Sequence, residues 1–139
     1  MSHELLAVIF FVKTPSLTIK EIASPLIFVK KIVDQLRNVI ENAWEDRSQL
    51  ENRVTKTAIR EVVDMLDRGT IRVAEPTASG WQVNEWIKKA VVLYFPIQKM
   101  ETIECGPFEY HDKIPLKTGY KSKGIRVVPN AVARHGAYI

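Results

Sequence analysis

The stretch that decides the reading of this chain is Ile125-Arg126-Val127-Val128-Pro129-Asn130-Ala131-Val132-Ala133-Arg134-His135-Gly136-Ala137-Tyr138-Ile139, its last 15 residues. Val127, Ala133 and Ile139 fall six residues apart, and Ala131 and Ala137 each sit two places before the later members of that series. A six-residue period, with an aliphatic residue at one corner and a small residue two places earlier, predicts a parallel β-helix whose coils have three flat faces. Each hexad would supply one short strand and one turn, with the aliphatic side chain pointing into the prism. Such coils cannot bury their inner face alone, so at least about three must stack. These residues make less than one coil, and the sequence reads as the front end of something longer.

Working outward, the 139-residue length predicts one domain, and the 46% apolar share suffices for an ordinary core. The net charge of +4 is local. From His111 onward, Lys113, Lys117, Lys121, Lys123, Arg126 and Arg134 face a single acid, Asp112. Such a run attracts anions: phosphates, carboxylates or nucleic acid. The single cysteine, Cys105, excludes an intrachain disulfide and fits a reducing compartment. Near the start, Leu5 to Val12 is an eight-residue apolar run, far short of the ~20 residues that span a bilayer. Only His3 and Glu4 come before it, without the positive charge that opens a signal peptide. A short strand or a loose extension is the expectation there, and no membrane association.

Between these ends the chain is mainly helical. Ile32 to Arg47 places apolar residues at 32, 33, 36, 39, 40, 43 and 44, the helical period. Ser48 to Val54 reads as a polar loop. A second helix follows, with Thr55 or Thr57 as N-cap, a stripe of Ala58, Ile59, Val62, Val63 and Leu66, and Gly69 just past its end. Ile71 to Ala74 reads as a strand, Pro76 to Gly80 as a turn, and Trp81 to Val83 as the return strand. Asn84 would cap a third helix over Glu85 to Phe95, ended by Pro96. Its second half is apolar nearly all round, which predicts burial on several sides. After Pro96 the chain reads as irregular and extended. The fold class is therefore α+β: a helical domain with one small β-hairpin, then the first hexapeptide strands of a β-helix.

Few residues could carry chemistry. Cys105, His3, His111 and His135 are scattered without metal-ligand spacing, so no metal is expected. Cys105 and His111 are close enough in sequence for a nucleophile and base, but no neighbour suggests an activated thiolate. Trp44, Trp81 and Trp86 read as core or interface residues. Tyr110 and Tyr120 are thin support for a nucleic-acid surface, and none is expected. Arg126 differs in kind. It directly precedes the first predicted prism strand, between Gly124 and Val127-Val128-Pro129. At that rim an arginine can clamp a carboxylate with two parallel hydrogen bonds, or it can serve a structural ion pair.

Several ordered blocks carry a resemblance. They are Ile40-Glu41-Asn42-Ala43-Trp44-Glu45; Met65-Leu66-Asp67-Arg68-Gly69-Thr70-Ile71-Arg72-Val73-Ala74-Glu75; and Trp81-Gln82-Val83-Asn84-Glu85-Trp86-Ile87-Lys88-Lys89-Ala90-Val91. Asp112-Lys113-Ile114-Pro115-Leu116-Lys117, Gly124-Ile125-Arg126-Val127-Val128-Pro129 and Ala133-Arg134-His135-Gly136-Ala137-Tyr138-Ile139 follow. From about Ile32 to Ile139 the chain resembles the N-terminal part of bacterial tetrahydrodipicolinate N-succinyltransferases.

The resemblance implies transfer of a succinyl group from succinyl-CoA, as co-substrate, to ring-opened tetrahydrodipicolinate, on the diaminopimelate route to lysine. It implies a left-handed β-helix after the helical domain, a cytoplasmic homotrimer, and active sites between neighbouring β-helices. It assigns dicarboxylate binding to the arginine of the Gly-x-Arg-Val-Val-Pro motif, here Arg126. The resulting domain expectation is an extension over 1–31 that matches nothing in the family, a helical domain over 32–110, a linker over 111–124, and the β-helix start over 125–139. The segment from Lys117 to Gly124 is shorter than in many relatives. Catalytic residues and the CoA groove are expected in coils that these 139 residues do not include.

Overall fold

The computed structural model describes residues 25–139, so the readings at His3 and Leu5 to Val12 lie outside the described residues. Three helices form the body. Helix α1 spans Pro25–Glu45, α2 spans Arg53–Asp67 and α3 spans Glu85–Ile97. A 3-10 turn, Arg47–Glu51, joins α1 to α2. Two antiparallel hairpins flank α3: β1 (Ala74–Thr77) with β2 (Gly80–Val83), and β3 (Glu101–Cys105) with β4 (Phe108–Asp112). The architecture is α+β.

The core follows from the helical stripes. Leu36, Ile40 and Ala43 of α1 meet Ala58, Ile59, Val62, Val63 and Leu66 of α2 and Trp86, Ile87, Ala90, Leu93 and Tyr94 of α3. These are the spacings read from the sequence, and burying each of the larger aliphatic side chains among them contributes about 1.5–3 kcal/mol. Ile114 joins this core from the stretch after β4. Trp86 is buried, Trp44 is partly covered by Arg47 at 4.3 Å from its ring centre, and Trp81 is 73% exposed.

Several local expectations shift. Helix α1 already includes the residues from Pro25 onward, ahead of the Ile32 start read from the sequence. The polar loop is the 3-10 turn, held by Asp46 accepting from Ser48 N at 3.0 Å and Gln49 Nε2 at 3.0 Å. Asn52, not a threonine, caps α2 by accepting from Val54 N at 2.8 Å. Thr57 instead donates back to Arg53 O, and Thr55 is buried. Strand β1 lies three residues later than read, with Pro76 opposite Trp81. Helix α3 runs through Pro96 to Ile97. Arg60 and Lys113 donate to its last carbonyls, at Ile97 and Phe95, and so supply cations at the helix C-terminus.

Two readings need correction. The stretch after Pro96 is not irregular throughout: it contains the β3–β4 hairpin, closed by Gly106-Pro107. Among the described residues there are therefore two hairpins, where one was expected. Gly106 has φ +60, and the Pro107 ring holds its own φ negative, so the loop is of the type that opens on glycine and suits hairpins. The second correction concerns 125–139. No strand of a β-helix forms there; the only pairing is an isolated antiparallel bridge between Leu116 and Arg134. A prism strand must exchange backbone hydrogen bonds with coils above and below. Without them the segment turns back, and Lys117 N donates to Ala133 O while His135 N donates to Pro115 O, both at 2.8 Å.

Candidate functional site

Asp67, the last residue of α2, is the centre of the main polar cluster. Its Oδ1 accepts from Lys117 Nζ at 2.5 Å and from Gly136 N at 2.9 Å. The Lys117 side chain is only 5% exposed, so this is a covered ion pair. His135 lies between two carboxylates one helical turn apart: Nε2 is 2.7 Å from Asp64 Oδ1, and Nδ1 is 3.4 Å from Asp67 Oδ1. The Tyr94 ring faces His135 at 6.5 Å between centres. A recess of about 350 Å³ opens beside them, lined also by Leu116, Thr118 and Lys123. Burial works against the charge on Asp67, but the Lys117 hydrogen bond, the Gly136 N–H and the nearby His135 and Lys117 outweigh it and hold the carboxyl below its ordinary value. The cluster ties the C-terminal end of α2 to Lys117, His135 and Gly136.

Next to it, Arg134 Nη1 donates to Asp112 Oδ2 at 2.9 Å. Arg134 and the backbone N–H of Lys113 lower the Asp112 carboxyl. Tyr138 lies against Gly69, so close that a Cβ there would meet its ring at 2.6 Å. Gly69 (φ +70) ends α2 in a Schellman arrangement, with Thr70 N donating to Met65 O and Gly69 N to Leu66 O.

These contacts use up half of the basic run. Lys113, Lys117 and Arg134 are committed to Phe95 O, Asp67 and Asp112. Arg126 makes no ion pair among the described residues. It is exposed, on a loop closed by Ile125 N donating to Tyr120 O at 3.0 Å. It borders a second recess of about 410 Å³ whose other walls are Tyr120, Ile125, Val127, Val128, Ala131, Val132, Ala133 and Ile139. A guanidinium at the edge of an apolar hollow can hold a carboxylate bidentately while the hollow covers a short carbon chain.

The other candidates do not come together. Cys105 pairs with Phe108 and His111 with Thr102, three rungs apart in one hairpin and therefore on opposite faces. His111 Nδ1 lies 3.2 Å from Thr102 Oγ1. Among the described residues, no group of three or more His, Cys, Asp or Glu converges to hold a metal ion. The sequence reading missed Asp64, Asp67, Lys117 and His135 as partners. Asp67, Lys117 and His135 lie in the resembling blocks and Asp64 directly precedes one, but no spacing links α2 to residues some 50 to 70 positions later.

Much of this chain is similar to known proteins. Residues 35–97 match the family model described as the tetrahydrodipicolinate N-succinyltransferase N-terminal domain. The chain resembles the N-terminal part of that family. A 2,3,4,5-tetrahydropyridine-2,6-dicarboxylate N-succinyltransferase of Bordetella petrii is 45% identical over 114 residues, covering 75% of this chain and 42% of its own length. That of Leptothrix cholodnii is 46% identical over 116 residues (76% and 42%). That of Pseudoalteromonas translucida is 39% identical over 117 residues (77% and 42%). The chain thus spans about 42% of the length of these relatives. Among the described residues, no helix is long and apolar enough to cross a membrane.

Proposed function

We propose that this chain is the front part of a cytoplasmic N-acyltransferase that moves the succinyl group of succinyl-CoA onto the amine of ring-opened tetrahydrodipicolinate, in lysine and diaminopimelate biosynthesis. The observation that carries this reading is the 45% identity over 114 residues to a relative named for that transfer. In the reaction the free amine attacks the thioester carbonyl. A C–N bond forms, the C–S bond breaks, the amine gives up its proton, and CoA leaves as the thiol. In this reading Arg126 binds one carboxylate of the substrate. Its exposed position, open of ion pairs among the described residues, and the apolar hollow beside it support that role. Arg126 supplies charge complementarity. It supplies neither a base for the amine nor donors for the developing oxyanion, which such a transfer also needs. We assign those, and the CoA groove, to a left-handed β-helix of a longer chain that the hexads of 125–139 would begin, assembled as a homotrimer.

Calorimetry with pimelate, a dicarboxylate of matching carbon length, tests the half-site. Binding that Arg126→Ala abolishes is the expected outcome; binding that survives Arg126→Ala sinks the assignment. Incubation with succinyl-CoA and substrate should release no thiol from this chain alone, and turnover would overturn the placement of the catalytic groups elsewhere. A second reading, a non-catalytic packing module, is favoured by one observation: Val91, Val92 and Phe95 of α3 are exposed, although the second half of that helix reads as buried on several sides.

A further inference from the structure

We infer that Asp67 is a positioning residue for the Arg126 recess, acting as the bolt that fixes one of its walls to α2. This rests on the dicarboxylate reading of Arg126 for its ligand, but not for its geometry. Residues 118–132 form a loop whose two ends are tied together: Lys117 N to Ala133 O, His135 N to Pro115 O, and the Leu116–Arg134 bridge. Arg126 sits near the far end of that loop. Ala133, whose carbonyl belongs to the tie, and Ile139, beyond it, also line that recess. The residues next to them are held at the C-terminal end of α2. Asp67 Oδ1 grips both strands of the tie at once, Lys117 through its side chain and Gly136 through its backbone N–H. Tyr138, next to Ile139, is seated on Gly69, two residues after Asp67. One carboxylate oxygen therefore couples the helical core to the neck of the cationic loop and to the segment that carries Ala133 and Ile139, two further lining residues of the recess. Bidentate capture of a carboxylate demands that arginine and wall keep their spacing, because displacements of about 1 Å are costly.

The test compares the wild-type chain with the double variant Asp67→Asn, Lys117→Met. This removes the ion pair without stranding either charge in a covered place. Two readouts are taken, amide hydrogen exchange and pimelate calorimetry. Protection should be lost across 115–139 and kept in α2 and α3, and pimelate affinity should fall by about tenfold or more, as for other displacements of a binding group. Tyr138→Ala, which leaves Asp67 and Lys117 intact, should give a weaker form of the same pattern. Unchanged exchange in 115–139 overturns the proposal. So does loss spread equally over α2 and α3, because Asp67 would then be a general stabiliser. If wild-type chain fails to bind pimelate, the Arg126 reading falls by itself, while the exchange pattern still decides whether the bolt exists.

Discussion

Asp67 shows how one residue acquires its role from its surroundings. It ends a helix, where a carboxylate gains nothing from the helix dipole. Its value comes from the Lys117 ammonium and Gly136 N–H brought to it from the far end of the chain. Asp112 is held by Arg134 and Lys113 N in a similar way. Both carboxyls titrate below the ordinary aspartate value in the folded chain. A depressed folded value means that the stabilisation is complete above the unfolded value of about 3.9 and disappears as pH falls through the folded one. Docking of the C-terminal segment should therefore be constant from neutral pH down to about 4 and be released below that. The Gly136 amide, followed by NMR through an acid titration, reports this directly. Loss of its protection already near pH 6 would mean that the aspartates do not hold the segment.

At the scale of elements, the three helices were legible because periodicity and burial agree. Ile40, Ile59, Val62, Ile87 and Leu93 occupy core positions on the stripes the sequence displays. The β3–β4 hairpin is hard to read because glycine and proline usually interrupt strands, whereas Gly106 and Pro107 together make a two-residue turn. The alternation Thr102, Ile103, Glu104 against Glu109, Tyr110, His111 was the signal available. The end of α2 was legible from Gly69, but its tertiary role was not, since nothing local tells of Tyr138. That role gives a prediction. Gly69→Ala meets both an unfavourable left-handed backbone and the Tyr138 ring, and should cost about 1–3 kcal/mol in urea unfolding. In a Tyr138→Ala background only the backbone part remains, about 1 kcal/mol. Strict additivity of the two substitutions would show that ring and glycine are not in contact in solution.

For the whole molecule, the hexads and the observed tail describe one segment under two sets of neighbours. Val127, Ala133 and Ile139 keep the spacing of a prism edge, yet the tail pairs with Pro115–Lys117 and reaches α2. Sequence period reports the context in which a segment would satisfy its backbone, and a β-helix coil needs stacked neighbours for that. Arg126 was therefore legible as a motif, whereas the contacts of Ala133, His135 and Gly136 were not. The same view bears on assembly. Among the described residues, Val91, Val92 and Phe95 on α3 are exposed, as are Val127, Val128, Val132 and Ile139 around the tail. If the trimer is built by stacked prisms, the α3 surface alone is too small to hold copies together. Light scattering after size exclusion should then give the 15.9 kDa monomer at low concentration, with indefinite association as concentration rises. A discrete species of three times that mass, stable on dilution and dissociated by Val92→Lys, would instead place the trimer contact on the helical domain. It would also make the packing-module reading the better account of what this chain does by itself.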